Sequence, residues 1–123
     1  MTKVTFLEPP AIGDRVPERY AGCSYELYHF PDLGNLYPMT CLDWIGVKTV
    51  YIDSAMEGLD QDAFLAKLSA DDSDFYVIHA VVLAKPTDLY YIGEILSRRP
   101  DAKVLLHGPE STRVPQEYLV DPR

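Results

Sequence analysis

Four short apolar runs, separated by segments with helical periodicity, constrain the fold of this chain more than any other feature. The runs cover residues 4–7, 48–53, 75–81 and 103–107. The third run, FYVIHAV, is almost continuously apolar, which is typical of a strand buried on both faces of a parallel sheet. Strands that alternate with helices in this way indicate βαβ units joined by right-handed crossovers.

Local signals place helices between these strands. Predicted helices cover residues 36–45, residues 60–68, a segment from Thr87 or Asp88 to Arg98-Arg99, and residues 115–119. Pro38 is expected in the first turn of the first helix, and Gly46 is expected just past its end. The pattern predicts a flavodoxin-like, three-layer α/β fold with strand order 2-1-3-4 and helices on both faces. Such a fold normally has a fifth strand, for which we find no segment here.

Length and charge narrow the class of protein. The 123 residues fit a single domain over residues 1–123. With 11 Lys+Arg against 19 Asp+Glu, the formal charge is −8, which argues against a nucleic-acid or anionic-membrane surface because phosphates need clustered cations. No uncharged stretch approaches the roughly 20 residues of a membrane span. The N-terminus has no apolar signal segment, so we expect a cytoplasmic protein.

The carboxyl ends of the strands are where open α/β sheets bind ligands. The segments expected there are Glu8-Pro9-Pro10, Asp53-Ser54, His79-Ala80-Val81 and Gly108-Pro109-Glu110-Ser111-Thr112. No Cys, Asp or Glu accompanies His79 and His107 at metal-ligand spacing, which favours core or hydrogen-bonded histidines. Cys23 and Cys41 form neither a disulfide framework nor a metal motif. The sequence has no GxGxxG or GxxxxGK[ST] motif and no complete catalytic motif.

The connection between the first strand and the first helix, residues 11–35, is long for a compact domain. It contains five aromatic or imidazole side chains, Tyr20, Tyr25, Tyr28, His29 and Phe30. These side chains could form a lid or the wall of an apolar ligand pocket. Equally, they could fill a satellite core or meet a partner domain.

Four segments form a recognisable pattern when taken in order. They are Glu8-Pro9-Pro10, ERYAGCSYELYHFPDLGNLYP (residues 18–38), DWIGVKTVYIDS (residues 43–54) and HGPESTRVPQEYL (residues 107–119). In this order they resemble the N-terminal cobalamin-binding-type domain of a large class of radical S-adenosylmethionine (radical SAM) proteins. The resemblance covers essentially the whole chain.

The resemblance implies that cobalamin lies over the C-terminal edge of the sheet, with its nucleotide tail reaching down beside the strands. The implied cofactor-binding residues are Pro9, Pro10, His79, Ala80, Val81, Gly108, Pro109, Glu110, Ser111 and Thr112. Methionine-synthase-like domains carry a cobalt-ligating His in a DxHxxG loop, where this chain has Ala11-Ile12-Gly13-Asp14-Arg15. Cobalt bound without a protein imidazole is therefore implied. The third-strand loop, Ala80-Val81-Val82, also lacks the Ser or Thr of many such domains.

The family resemblance also implies a function shared with a second domain. The CxxxCxxC iron–sulfur site and the S-adenosylmethionine of these proteins belong to a following barrel domain, and this sequence has no such motif. We therefore expect the N-terminal part of a longer enzyme, presenting the corrinoid to a barrel domain in cis or in trans for methylation or rearrangement of an unreactive carbon.

Two other interpretations stay open. One is a non-catalytic interaction module that has lost cofactor binding, and a less favoured one is a flavin or nucleotide binder. Whichever interpretation holds, the edge of the fourth strand, which has no fifth strand to pair with, is a template for self-association.

Overall fold

Four parallel strands form one sheet in the order β2-β1-β3-β4, as the sequence predicts. The structure is a computed structural model that describes residues 1–13 and 31–119. Its strands and helices are β1 (Lys3–Glu8), α1 (Leu33–Trp44), β2 (Lys48–Asp53), α2 (Ser54–Glu57), α3 (Gln61–Ala70), β3 (Phe75–His79), α4 (Lys85–Arg98), β4 (Lys103–His107) and α5 (Pro109–Arg113). Short 3-10 turns cover Val82–Ala84 and Pro115–Glu117.

The strand register brings the carboxyl ends of all four strands to one level. Glu8 pairs with Asp53 across β1 and β2, Leu7 pairs with Ile78 across β1 and β3, and His79 pairs with His107 across β3 and β4. Side chains that follow or end the strands therefore meet at one edge of the sheet, which we call the C-terminal edge.

The two faces of the sheet are covered unequally. On one face, called the closed face, α3 and α4 pack over the sheet and form a large core. Its buried side chains include Leu7, Ile52, Phe64, Leu68, Tyr76, Ile78, Tyr91 and Ile95. On the other face, called the open face, α1 contributes Met39 and Leu42 to a small cluster around Val4, Phe6 and Val77. Helices therefore lie on both faces, as predicted for a three-layer fold.

The first helix begins earlier than predicted. It starts at Leu33, because the side chain of Asp32 accepts a hydrogen bond from the Gly34 amide at 2.7 Å and caps the helix. Pro38 consequently lies inside the helix and not in its first turn. Gly46 follows the end of the helix with φ +81°, which confirms its predicted role.

Other predicted boundaries were wrong by a few residues. β3 ends at His79 and not at Val81, because the chain turns into the 3-10 turn that precedes α4. α4 begins at Lys85, so Thr87 and Asp88 lie buried in its first turn and neither caps it. The helix predicted over residues 115–119 is a 3-10 turn, and the polar stretch before it is α5.

None of the helices in the described residues is long and apolar enough to cross a membrane.

Candidate functional site

A cluster of polar side chains lies at the C-terminal edge, where the level strand ends and the start of α1 converge. We call it the edge cluster, and it consists of Glu8, Asp32, Asn35, His79 and His107. Glu8 is 4% exposed and Asn35 is fully buried. Polar groups this deep need hydrogen-bond partners, because an unsatisfied one is costly.

Asp32 joins the first helix to the third strand. One carboxylate oxygen accepts from the Gly34 amide, and the other, Oδ2, lies 2.5 Å from Nδ1 of His79. Burial would raise the pKa of Asp32, but the hydrogen bonds from His79 and from the Gly34 amide outweigh it and hold the pKa below its ordinary value. Asp32 is therefore ionised at neutral pH, and because a carboxylate can only accept, Nδ1 of His79 is the donor in this contact.

Asn35 joins the first strand to the fourth. Its side-chain Nδ2 donates to Glu8 at 2.7 Å, and its Oδ1 lies 2.9 Å from Nε2 of His107. Because Glu8 accepts, the amide group of Asn35 is oriented with its oxygen toward His107. Nε2 of His107 must then be the donor.

The two histidine rings stack on each other and complete the edge cluster. Their centroids are 4.7 Å apart and their planes differ by 11°. Glycines flank His79: a Cβ on Gly34 would lie 2.9 Å from its Nδ1, and a Cβ on Gly108 would clash with its Cδ2. Gly108 also has φ +105°, which L side chains rarely adopt. Both positions therefore require glycine while the His79 ring stays in place.

Tyr51 supports the cluster from the second strand. Its hydroxyl oxygen accepts a hydrogen bond from the Asp32 amide at 3.1 Å. Burial and the nearby charge of Glu8 raise the pKa of Tyr51 far above its ordinary value of 10. The hydroxyl is therefore a neutral group that helps to hold the start of α1.

The residues implied by the resemblance lie at the C-terminal edge, but only some are accessible. Pro10, Val81 and Ser111 are half-buried, whereas Pro109 and Thr112 are exposed. The hydroxyls of Ser111 and Thr112 donate to the Gly108 carbonyl.

The other implied residues are buried or hydrogen-bonded within the domain. Pro9 and Ala80 are buried, and the Ala80 amide donates to the His107 carbonyl at 2.7 Å. Glu110 is 2% exposed and accepts from Arg113, whose hydrogen bonds hold the pKa of Glu110 below its ordinary value. Pro9, Ala80 and Glu110 are thus part of the packing and hydrogen bonding of the domain at this edge.

An apolar groove of about 670 Å³ opens on the open face between α1 and β4. Its lining residues are Thr2, Val4, Phe6, Pro38, Cys41, Leu42, Val47, Phe75, Val77, Leu105 and His107. His107 lies both in this groove and in the edge cluster, so the groove begins at the C-terminal edge and runs down the sheet. None of the lining residues is Asp, Glu, Lys or Arg.

Sequence reasoning missed both features. It found His79 and His107, but not Asp32 and Asn35 as their partners, nor Glu8 as the partner of Asn35. Most of the aromatic connection, Tyr20 to Phe30, lies outside the described residues, as does Cys23. Cys41 is an exposed free thiol. Within residues 1–13 and 31–119, no group of three or more His, Cys, Asp or Glu is placed to hold a metal ion.

The chain matches no protein-family model, no curated protein and no solved structure.

Proposed function

We propose that this chain is a cytoplasmic cobalamin-binding domain of a radical SAM protein, which holds the corrinoid for a separate catalytic domain. The groove carries this proposal. It starts at His107 on the C-terminal edge and continues between α1 and β4, which is the path that a nucleotide tail beside the strands would take.

The properties of the groove fit the tail of a corrinoid. Its volume of about 670 Å³ lies within the roughly 300–1,000 Å³ range of small-molecule sites. The walls are side chains such as Val77, Leu42 and Leu105, which suit a flat aromatic base. When bound, the corrinoid supplies a transferable methyl group; the residues of this chain bind and orient the cofactor.

The edge cluster would hold the upper end of the groove in a fixed geometry. Asp32 ties the start of α1 to His79, and Asn35 ties the same helix to His107. The wall of the groove formed by α1 is therefore fastened to the strands at its upper end. His79 and His107 serve as positioning residues in this proposal, and neither is assigned as a cobalt ligand.

Equilibrium dialysis with methylcobalamin tests the proposal. Leu105→Asp places a charge in the groove and should weaken binding at least 10-fold, about 1.4 kcal/mol. Cys41→Trp fills the groove from the exposed side of α1 and should have the same effect. Ala66→Asp, on the exposed surface of α3, should leave the Kd unchanged. Absence of binding to the parent chain, or equal binding by all variants, would count against the proposal.

The visible spectrum of the bound corrinoid tests the cobalt ligand. Replacing His29, His79 and His107 one at a time should leave the spectrum in the form without imidazole. A spectral change on loss of one histidine, with corrinoid still bound, would show that this histidine is the ligand.

A cofactor-free interaction module is the second candidate. It is favoured by one observation, the row of large apolar side chains exposed on α1. A chain that binds no corrinoid but associates through α1 would fit this candidate and not the first.

A further inference from the structure

The outward side of α1 is mostly apolar, although it faces solvent, and Thr40 is its polar member. Leu33, Tyr37, Trp44 and Ile45 are 61%, 72%, 81% and 75% exposed. With about 100° between successive helical residues, the three within α1 fall on one side of the helix, and Ile45 is the exposed residue that directly follows its end. We call these four residues the α1 ridge. An ordinary surface helix would have polar residues there.

The ridge adjoins the apolar groove described above. Pro38 and Cys41, also on α1, line the groove and lie between the ridge and the buried side of the helix. Leu105, 49% exposed on β4, forms the opposite wall. The open face therefore presents a convex apolar surface directly beside a concave one.

We propose that two copies of this chain associate through the open face, with the α1 ridge of each copy seated in the groove of the other. A two-fold dimer needs one patch that is complementary to itself. An adjoining ridge and groove meet that requirement, because each copy supplies both halves. This inference does not rest on corrinoid binding.

The size of the patch suits such a dimer. At their observed exposures, the four ridge side chains present on the order of 500 Å² per copy, and the groove walls add to this, compared with roughly 800 Å² per partner in a standard interface. A patch of this size is at the upper end of what an ordinary monomer exposes, and such patches often mark a binding surface.

The charge distribution favours the same location. Each copy carries a formal charge of −8, so two copies repel each other over most of their surfaces. Neither the ridge nor the groove lining contains Asp, Glu, Lys or Arg. Here the copies can meet without placing like charges in contact. Added salt screens the remaining repulsion, so self-association through this patch should become tighter with ionic strength.

Trp44 is the single tryptophan of the sequence and lies in the ridge, so its fluorescence reports on the patch. Without corrinoid, raising the protein concentration should shift its emission to shorter wavelength in parallel with dimer formation in sedimentation equilibrium. Raising NaCl from about 0.05 to 0.5 M should tighten the dimer about 3-fold or more. A monomer up to about 1 mM, or weaker association at high salt, would overturn the proposal.

Substitutions in the ridge and in the groove test where the interface lies. Trp44→Ser and Leu105→Asp should each weaken the dimer at least 10-fold by sedimentation, whereas Met56→Asp, at the same 49% exposure as Leu105, should not. Mixing the Trp44→Ser and Leu105→Asp chains should restore partial association, since one intact ridge then meets one intact groove. Urea unfolding confirms that each variant is folded.

Two results would overturn this location. One is an unchanged dimer in both variants, as expected for pairing through the β4 edge. The other is a mixture that associates no better than either variant alone. Because these measurements contain no corrinoid, their outcome is separate from that of the dialysis experiment. If both proposals hold, methylcobalamin should dissociate the dimer, because the two compete for one groove.

Discussion

The closed face and the open face of the sheet are made from the same four strands, yet they differ in how completely helices cover them. On the closed face, α3 and α4 bury Leu7, Tyr76 and Ile78 completely and leave only the flanking strand residues partly buried. On the open face, α1 covers only part of the sheet, and Leu105 remains half exposed beside a groove. The difference indicates that the closed face supplies most of the folding stability, while the open face is available for binding.

The largest expected difference between the faces is in stability. Phe64 is fully buried on the closed face, with its ring 5.1 Å from that of Tyr91. Phe64→Ala should lower the free energy of unfolding by about 3–5 kcal/mol, because it leaves a cavity. Leu105→Ala, on the open face, should lower it by less than about 1 kcal/mol. Urea unfolding of both variants checks this, and equal losses would contradict the distinction.

The next effect concerns Gly108 at the C-terminal edge. Gly108→Ala should destabilise the fold by about 3 kcal/mol, since a positive φ and a contact with His79 both oppose a Cβ. Gly46→Ala, where φ is also positive but no atom lies within 4 Å of the new Cβ, should destabilise it by only about 1 kcal/mol.

A double-mutant cycle separates the two contributions at Gly108. In a His79→Ala background the contact with the imidazole is gone, but the Ala80 carbonyl oxygen still lies 2.9 Å from the new Cβ. Gly108→Ala should therefore destabilise the chain less than it does in the parent, but more than Gly46→Ala does. An unchanged effect in that background would mean that the contact with His79 is unimportant.

A smaller, pH-dependent effect is expected at Asp32. The folded-state pKa of Asp32 lies below its ordinary value of 3.8. Its ionised form therefore stabilises the fold above about pH 4, and this contribution is lost as the pH falls through the folded-state value. Asp32→Ala should cost about 1–2 kcal/mol at pH 7, through the lost cap and the lost contact with His79.

Urea unfolding at pH 7 and near pH 3 measures the pH dependence. The difference between the parent chain and Asp32→Ala should shrink at the lower pH. Asp101→Ala, in an exposed turn, serves as the control and should change stability little at either pH. A difference that grows on acidification would show that Asp32 has the opposite role.

The smallest effect on stability is expected on the α1 ridge. Trp44→Ser should change the free energy of unfolding by no more than about 0.5 kcal/mol when measured on the monomer, because Trp44 is 81% exposed. The same substitution should have a large effect on self-association. A large loss of monomer stability would instead place Trp44 in the structural core.

The strand order could be predicted from the sequence because each strand is a continuous local signal. The edge cluster could not. Glu8, Asn35 and His107 are far apart in the chain, and only the strand register and the early start of α1 bring them together. That early start depends on Asp32, whose capping role before Gly34 is a weak local signal.

The groove could not be predicted either, for a different reason. A sheet face that the described residues cover only in part leaves no pattern in the strand residues themselves, and Val77 and Leu105 look like ordinary core residues. A readable signal was present in α1, where Leu33, Tyr37 and Trp44 extend the apolar surface beyond the side that contacts the sheet.

The central claim, that the open face is the binding face, is tested most directly at Cys41. This exposed thiol lines the groove, and mass spectrometry of its peptide measures its rate of alkylation by iodoacetamide. At a protein concentration low enough to keep the chain monomeric, saturating methylcobalamin should slow alkylation of Cys41 at least 5-fold, while a cysteine introduced by Ala66→Cys on α3 reacts at an unchanged rate. Corrinoid that is bound, as shown by dialysis, without protecting Cys41 would contradict the account.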